Sequence, residues 1–326
     1  MNIDKGYVDA PVDPALDLKA EILRLKKEKG AAVLAHYYQQ AEIQDIADYI
    51  GDSLALARIA ATLKEDIIVM CGVHFMGETV KILCPEKKVI VPDLNAGCSL
   101  ADSCQAPEFG RFIEAHPGHT VISYVNTSAA VKALTDIVVT SGNAKEIVAS
   151  LPEDEKIIFG PDRNLGNYIK ATTGRDMIIW DGACHVHEQF SLEKIAELMK
   201  QYPGAELLVH PECKKPLQIM ASKVGSTAAL LKYAKESPCR QFIVATESGI
   251  LHQMQKDCPD KEFIPAPPAD STCACNECAF MKLITLTKLY NSLRYELPLV
   301  EVDSRLIPLA KRPILRMLEL SDKLVK

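Results

Sequence analysis

Met177-Ile178-Ile179-Trp180-Asp181-Gly182-Ala183-Cys184-His185-Val186-His187-Glu188 passes from an apolar run to a thiol and two imidazoles within twelve residues. The apolar residues read as a buried strand, and Asp181-Gly182 as the turn that ends it. In open α/β sheets, ligands bind just beyond the carboxyl ends of strands. The same arrangement occurs twice more. Lys88-Val89-Ile90-Val91-Pro92 runs into Asn95-Ala96-Gly97-Cys98-Ser99, and Glu262-Phe263-Ile264-Pro265 runs through a proline-rich loop into Cys273-Ala274-Cys275-Asn276-Glu277-Cys278. Cys98 and Cys184 lie 86 residues apart, Cys184 and Cys278 94. Three strand-then-cysteine endings at nearly equal intervals point to three similar units meeting at one place.

Other short apolar runs fill the intervals, at 31–35, 67–71, 120–123, 137–139, 156–160, 206–209 and 241–244. They lack strict alternation, as expected of parallel strands covered on both faces. Helical stretches separate them. Residues 14–29 read as a helix capped by Asp13, with Pro14 at its first position and Gly30 as its stop. Residues 43–50 read as helical up to Gly51, and Asp52 or Ser53 caps a helix over 54–62. Ser191 caps the helix that opens the third unit, and Val224-Gly225-Ser226-Thr227 reads as a loop opening a helix over 228–235. Strands alternating with helices give the α/β class. The repeat divides the chain into units at 1–105, 106–190 and 191–280, with C-terminal helices over 281–326 packing back on the core. The plain alternative is one α/β chain whose cysteines happen to be evenly spaced.

Composition narrows the function. A 326-residue chain with 48% apolar and 25% charged residues is an ordinary globular protein with room for two or three domains. Its net charge of −6 provides no basic footprint for nucleic acid. Nothing behind Met1-Asn2-Ile3-Asp4-Lys5 resembles a secretion signal, and no apolar run reaches membrane-spanning length, so a soluble cytoplasmic protein is expected. Eleven cysteines in a reducing compartment read as metal or catalytic groups where they gather at loop ends. Cys71, inside Ile67-Ile68-Val69-Met70-Cys71, reads as a small buried hydrophobe.

The strand ends also carry His36, Tyr38, Ser53, Tyr124, Asn126, Ser141, His187, His210, Glu212, Ser226 and Thr227. One such residue is ordinarily a structural hydrogen-bonder. Eleven directed into one cavity suit a small anionic ligand, since hydroxyls and amides beside helix starts bind carboxylate or phosphate. One cysteine from each unit makes three soft ligands, suited to zinc or to an iron–sulfur cluster. Structural zinc favours two local cysteine pairs, and only Cys275-Asn276-Glu277-Cys278 has that spacing.

His36-Tyr37-Tyr38-Gln39, Gly51-Asp52-Ser53, Tyr124-Val125-Asn126, Trp180-Asp181-Gly182-Ala183-Cys184-His185-Val186-His187, His210-Pro211-Glu212-Cys213 and Gly225-Ser226-Thr227 together closely resemble the quinolinate synthase family, from about residue 15 to about residue 294. The resemblance implies three pseudo-symmetric αβα units, with short parallel sheets, around a central cavity holding a [4Fe–4S] cluster. It implies condensation of iminosuccinate (iminoaspartate) with dihydroxyacetone phosphate to quinolinate, in de novo NAD biosynthesis. By motif, the cluster ligands are Cys98, Cys184 and Cys278, with Cys273 and Cys275 near enough to exchange with the third. The substrate contacts are His36, Ser53, Tyr124, Asn126, Ser141, His210, Glu212, and Ser226 or Thr227. Tyr38, His187, His210 and Glu212 are the expected proton-transfer groups. L-Aspartate oxidase is a candidate source of the iminosuccinate. Two rivals compete: an iron–sulfur redox sensor or scaffold without turnover, in which Cys273 to Cys278 would switch with oxidation state, and a zinc-dependent lyase.

Overall fold

A computed structural model of the chain describes residues 2–270 and 276–324. Twelve strands among them form three separate four-stranded sheets. The first sheet contains β1 (Ala31–His36), β2 (Tyr49–Gly51), β3 (Ile67–Cys71) and β4 (Lys88–Ile90). The second contains β5 (Thr120–Tyr124), β6 (Ile137–Val139), β7 (Ile157–Gly160) and β8 (Met177–Ile179). The third contains β9 (Glu206–Val209), β10 (Lys223–Val224), β11 (Gln241–Ala245) and β12 (Glu262–Pro265). All pairings are parallel, and the spatial order is second–first–third–fourth in every sheet. One topology repeated three times makes this an α/β protein of three αβα units.

The third sheet shows why these runs make two-faced strands. Leu207, Val209, Ile243 and Ala245 pack into one apolar cluster, whereas Leu208, Phe242 and Val244 pack into another on the opposite face. Successive residues point to opposite sides of a strand, so a run apolar at every position must be covered twice. All six residues of β1 are buried for the same reason.

Two edge strands differ from the sequence expectation. Where a helix is expected over 43–50, the chain instead has a four-residue helix, Ala41–Gln44, and then β2, and β10 lies where a loop is expected. Each has at most three residues, partly exposed, and is held by its register with the neighbouring first strand rather than by apolar content. The first helix is Leu18–Lys29, shorter than expected. Its cap is Asp17, which accepts Ala20 N–H at 3.1 Å, whereas Asp13 closes a turn by accepting Ala15 N–H. Gly30 ends it at φ 58°, a conformation that disfavours other residues. Helix Leu286–Tyr295 packs on Leu18–Lys29, and the C-terminal helix Leu306–Leu324 packs on Ala129–Ala133 and β6. Among the described residues no helix is long and apolar enough to cross a membrane.

Candidate active site

The carboxyl ends of strands from all three sheets surround one cavity. His36, Tyr38, Ser53, Tyr124, Asn126, Ser141, His187, His210, Glu212 and Thr227 line it together with Cys98, Cys184 and Cys278. Of the residues expected from the sequence, Ser226 stands apart. It is buried and accepts Ala229 N–H at 3.3 Å as the cap of helix Thr227–Glu236, while its neighbour Thr227 lines the cavity. Ser53, Ser141 and Ser226 each lie two residues beyond the second strand of their sheet, so the repeat brings three hydroxyls to related places. Cys273 and Cys275 lie outside the described residues.

Glu212 is the centre of the polar wall. Its Oε1 accepts the Tyr124 hydroxyl at 2.5 Å, and its Oε2 lies 3.0 Å from His187 Nδ1. Burial pushes this carboxyl up, but the adjoining His187 and His210 rings and the Tyr124 hydroxyl outweigh it and hold the group well below the ordinary range. Beyond His187, Nε2 meets Thr246 Oγ1 at 3.0 Å, and Thr246 Oγ1 meets the Tyr38 hydroxyl at 2.7 Å. Tyr38, Thr246 and His187 thus form one hydrogen-bonded run and Tyr124 and Glu212 another, the two meeting at the 3.0 Å contact of His187 Nδ1 with Glu212 Oε2. Burial drives both phenols well above the usual tyrosine value.

His36 and His210 are set up alike. Burial lowers each ring to about 3, so both are neutral near pH 7. Tyr38 N–H donates to His36 Nδ1 at 3.1 Å, and Glu212 N–H to His210 Nδ1 at 3.4 Å. The proton of each neutral ring therefore sits on Nε2, and that of His210 meets Ser141 Oγ at 3.2 Å. Thr246, which links Tyr38 to His187, was not singled out in the sequence. Its role depends on two partners far away along the chain.

The thiols line the same cavity, Cys184 directly beside His187 and Glu212. Cys98 precedes helix Ser99–Asp102 and Cys184 precedes helix His185–Glu188. The backbone N–H groups of Leu100 and Ala101 turn toward the Cys98 sulfur, that of His187 toward Cys184, and those of Phe280 and Met281 toward Cys278. Such donors favour thiolate and metal-bound sulfur, against burial, which pushes the free Cys98 thiol up to about 12. All three cysteines are free, and Cys98 lies near enough to Cys184 and Cys278 for their charges to interact. Gly182 is required here: a Cβ would come within 2.5 Å of Pro161 O and Ser103 Oγ. Ser99 Oγ and His185 Nδ1, each one residue past a cysteine, meet at 2.6 Å. Donor atoms of Cys184, His187 and Glu212 lie within 4.8 Å of one another, a group able to hold a metal ion. His187 Nδ1 is buried without an aligned hydrogen-bond partner, as a site built to receive one more group would leave it.

The chain is similar to known proteins over nearly its whole length. The sequence model of the family described as quinolinate synthetase A protein matches residues 20–319. A protein of Synechococcus sp. named quinolinate synthase is 55% identical over 318 residues, covering 98% of each chain. Its namesake from Nostoc sp. is 57% identical over 307 residues, 94% of each chain. That from Thermosynechococcus vestitus is 56% identical over 313 residues, 96% of this chain and 98% of its own. With the family's model matching residues 20–319 and relatives more than half identical over nearly the whole length, this chain belongs to the quinolinate synthetase A protein family.

Proposed function

We propose that this enzyme condenses iminosuccinate with dihydroxyacetone phosphate, giving quinolinate, phosphate and two waters for NAD biosynthesis, with a [4Fe–4S] cluster held by Cys98, Cys184 and Cys278. The observation that carries the reading is the placement of three free cysteines, one from each repeat, on the wall shared with the Glu212 network. Three thiols furnished with backbone donors fit a cubane that keeps one iron free of protein. When bound, that cluster supplies a Lewis acid to the cavity.

The chain's own groups bind and move protons. Iminosuccinate carries two carboxylates. The Nε2–H groups of His36 and His210, the hydroxyls of Ser53, Ser141 and Thr227, and the Asn126 amide are suitable donors to them. Helix Ser53–Ala60 and helix Thr227–Glu236 begin at the cavity wall, adding the positive ends of their dipoles. Imine closure, tautomerisation and two dehydrations all require controlled proton movement. Glu212 accepts protons at its carboxylate, His187 Nδ1 stands 3.0 Å from it to exchange them, and the hydrogen bonds of His187 Nε2 through Thr246 to Tyr38 carry them onward.

Anaerobic reconstitution tests the proposal. Wild-type protein is expected to take up about four irons and four sulfides per chain and to form quinolinate from the two substrates. Cys98→Ala, Cys184→Ala and Cys278→Ala should each lose both properties, whereas Cys273→Ala and Cys275→Ala keep them. One zinc per chain, or a cluster without quinolinate, would reject it.

A further inference from the structure

The three repeats can be aligned by a hydrogen bond that recurs in each. Two residues beyond the third strand of each sheet stand Val73, Asp162 and Glu247. The next residue in each case donates its backbone N–H to the carbonyl two residues before a cavity cysteine. His74 N–H donates to Ala96 O at 2.6 Å, Arg163 N–H to Gly182 O at 2.8 Å, and Ser248 N–H to Asn276 O at 3.3 Å. Val73, Asp162 and Glu247 are therefore structural counterparts, although they share neither size nor charge.

All three are buried, and two are acids. Asp162 divides its carboxylate: Oδ1 accepts Leu165 N–H at 2.7 Å, capping helix Arg163–Thr173, and Oδ2 accepts Cys184 N–H at 3.3 Å. Glu247 does the same in the third unit. Its Oε1 accepts Cys278 N–H at 3.0 Å, and its Oε2 accepts Gly249 N–H at 2.7 Å. Lys282 Nζ lies 2.9 Å from Glu247 Oε1 and donates to Tyr38 O at 2.9 Å, tying this hold to the first unit. Val73 has no side-chain acceptor to offer Cys98.

We infer that Asp162 and Glu247 are positioning residues, which fix the backbones of Cys184 and Cys278 so that their sulfurs meet the metal group, while Cys98 is held without a carboxylate. A buried carboxylate is costly unless hydrogen-bonded, so its presence twice at one place in a repeat needs a cause beyond packing. Fixing the cysteine backbone before the metal arrives is that cause. The inference rests on the proposed ligand set but concerns the chain before loading, so the two can fail separately.

The test is site-resolved alkylation of the reduced, metal-free, full-length chain, read by mass spectrometry for each cysteine. The three thiols are half-buried on the cavity wall, so each reacts at a rate set by how freely its segment moves, and that freedom reports the bonds that hold the segment. Asp162→Asn keeps a competent helix cap and sets an amide N–H against Cys184 N–H. It is expected to speed Cys184 modification roughly five- to tenfold, leaving Cys98 within about twofold. Glu247→Gln should do the same for Cys278. If either variant does not fold, Asp162→Glu and Glu247→Asp keep the charge, change the reach, and are read identically. In protein reconstituted with iron and sulfide, the same variants should shorten the half-life of iron loss to a chelator and alter the spectrum of the reduced cluster. Equal acceleration at all three cysteines, or none at Cys184 and Cys278, overturns the inference. Wild-type protein that takes up zinc rather than iron rejects the proposed ligand chemistry instead, with the alkylation pattern still deciding the positioning role.

Discussion

The Tyr124 hydroxyl donates to Glu212 Oε1 across 2.5 Å, joining the strand ends of two different sheets. The two residues are 88 positions apart, and both are buried. Nothing local to either forces the contact. It exists because the second and third repeats direct the same end of their first strands into one cavity.

Tyr124→Phe removes that donor and leaves the carboxylate less well satisfied. kcat/KM should fall roughly 10- to 100-fold. Glu212→Gln removes the proposed proton acceptor and should cost about 10²- to 10⁴-fold in kcat. Steady-state kinetics at matched iron content reads both. Wild-type turnover by Glu212→Gln would remove Glu212 from proton handling.

Ser53 and Thr227 line the cavity, whereas Ser226 spends its hydroxyl on a helix cap. Ser226→Ala is therefore expected to lower unfolding stability by about 1 kcal/mol and to leave KM little changed. Ser53→Ala and Thr227→Ala should raise KM for the proposed dicarboxylate substrate severalfold. Thermal unfolding and initial rates on one set of preparations separate the two effects. A KM rise in Ser226→Ala without loss of stability would return that hydroxyl to the substrate.

Cys71, at the end of β3, is buried, and burial pushes its thiol from 9.0 up to about 12. A group held protonated by the fold contributes stability that is full below pH 9 and is lost as pH rises from 9 toward 12. At roughly 1.4 kcal/mol per pH unit across that window, the loss is of order 2 kcal/mol by pH 10.5. Cys71→Ala carries a small cavity cost at every pH and lacks this limb. Denaturant unfolding of metal-free protein at pH 8 and pH 10.5 should show the wild type losing more than the variant. Equal losses would refute the assignment.

Glu296 ends helix Leu286–Tyr295 at φ 56°, where L-residues are strained, and its carboxylate meets Lys29 Nζ at 2.7 Å and Lys88 Nζ at 2.6 Å. Hydrogen bonds from those lysines hold the carboxyl down at about 2. The side chain is partly exposed, and solvent screening keeps the pairs to about 1 kcal/mol. Glu296→Ala loses them and keeps the strain, whereas Glu296→Gly relieves it and should be about 1 kcal/mol the more stable variant. The wild-type advantage over Glu296→Ala is present above pH 4.5 and fades as pH falls toward 2. Unfolding midpoints across that range measure it.

Ten of the strands could be read from the sequence because each is an apolar run with a turn signal behind it, as at Met177-Ile178-Ile179-Trp180. Burial on both faces leaves that mark wherever it occurs. β2 and β10 left none, since edge strands of two or three partly exposed residues owe their form to a neighbour's hydrogen bonds. The strand-end groups were legible as a collection, because residues with donors and thiols are scarce elsewhere beside apolar runs. Their partners were not. Thr246 between Tyr38 and His187, Asp162 at Cys184 and Glu247 at Cys278 are ordinary residues in one dimension. What the chain order determined was three copies of a strand-and-helix plan, each ending in a cysteine, because apolar spacing and turn chemistry are local. Which atoms meet at the centre was decided only by packing three sheets with their carboxyl ends inward, since hydrogen bonds act over a few ångströms in space, whatever the distance along the chain.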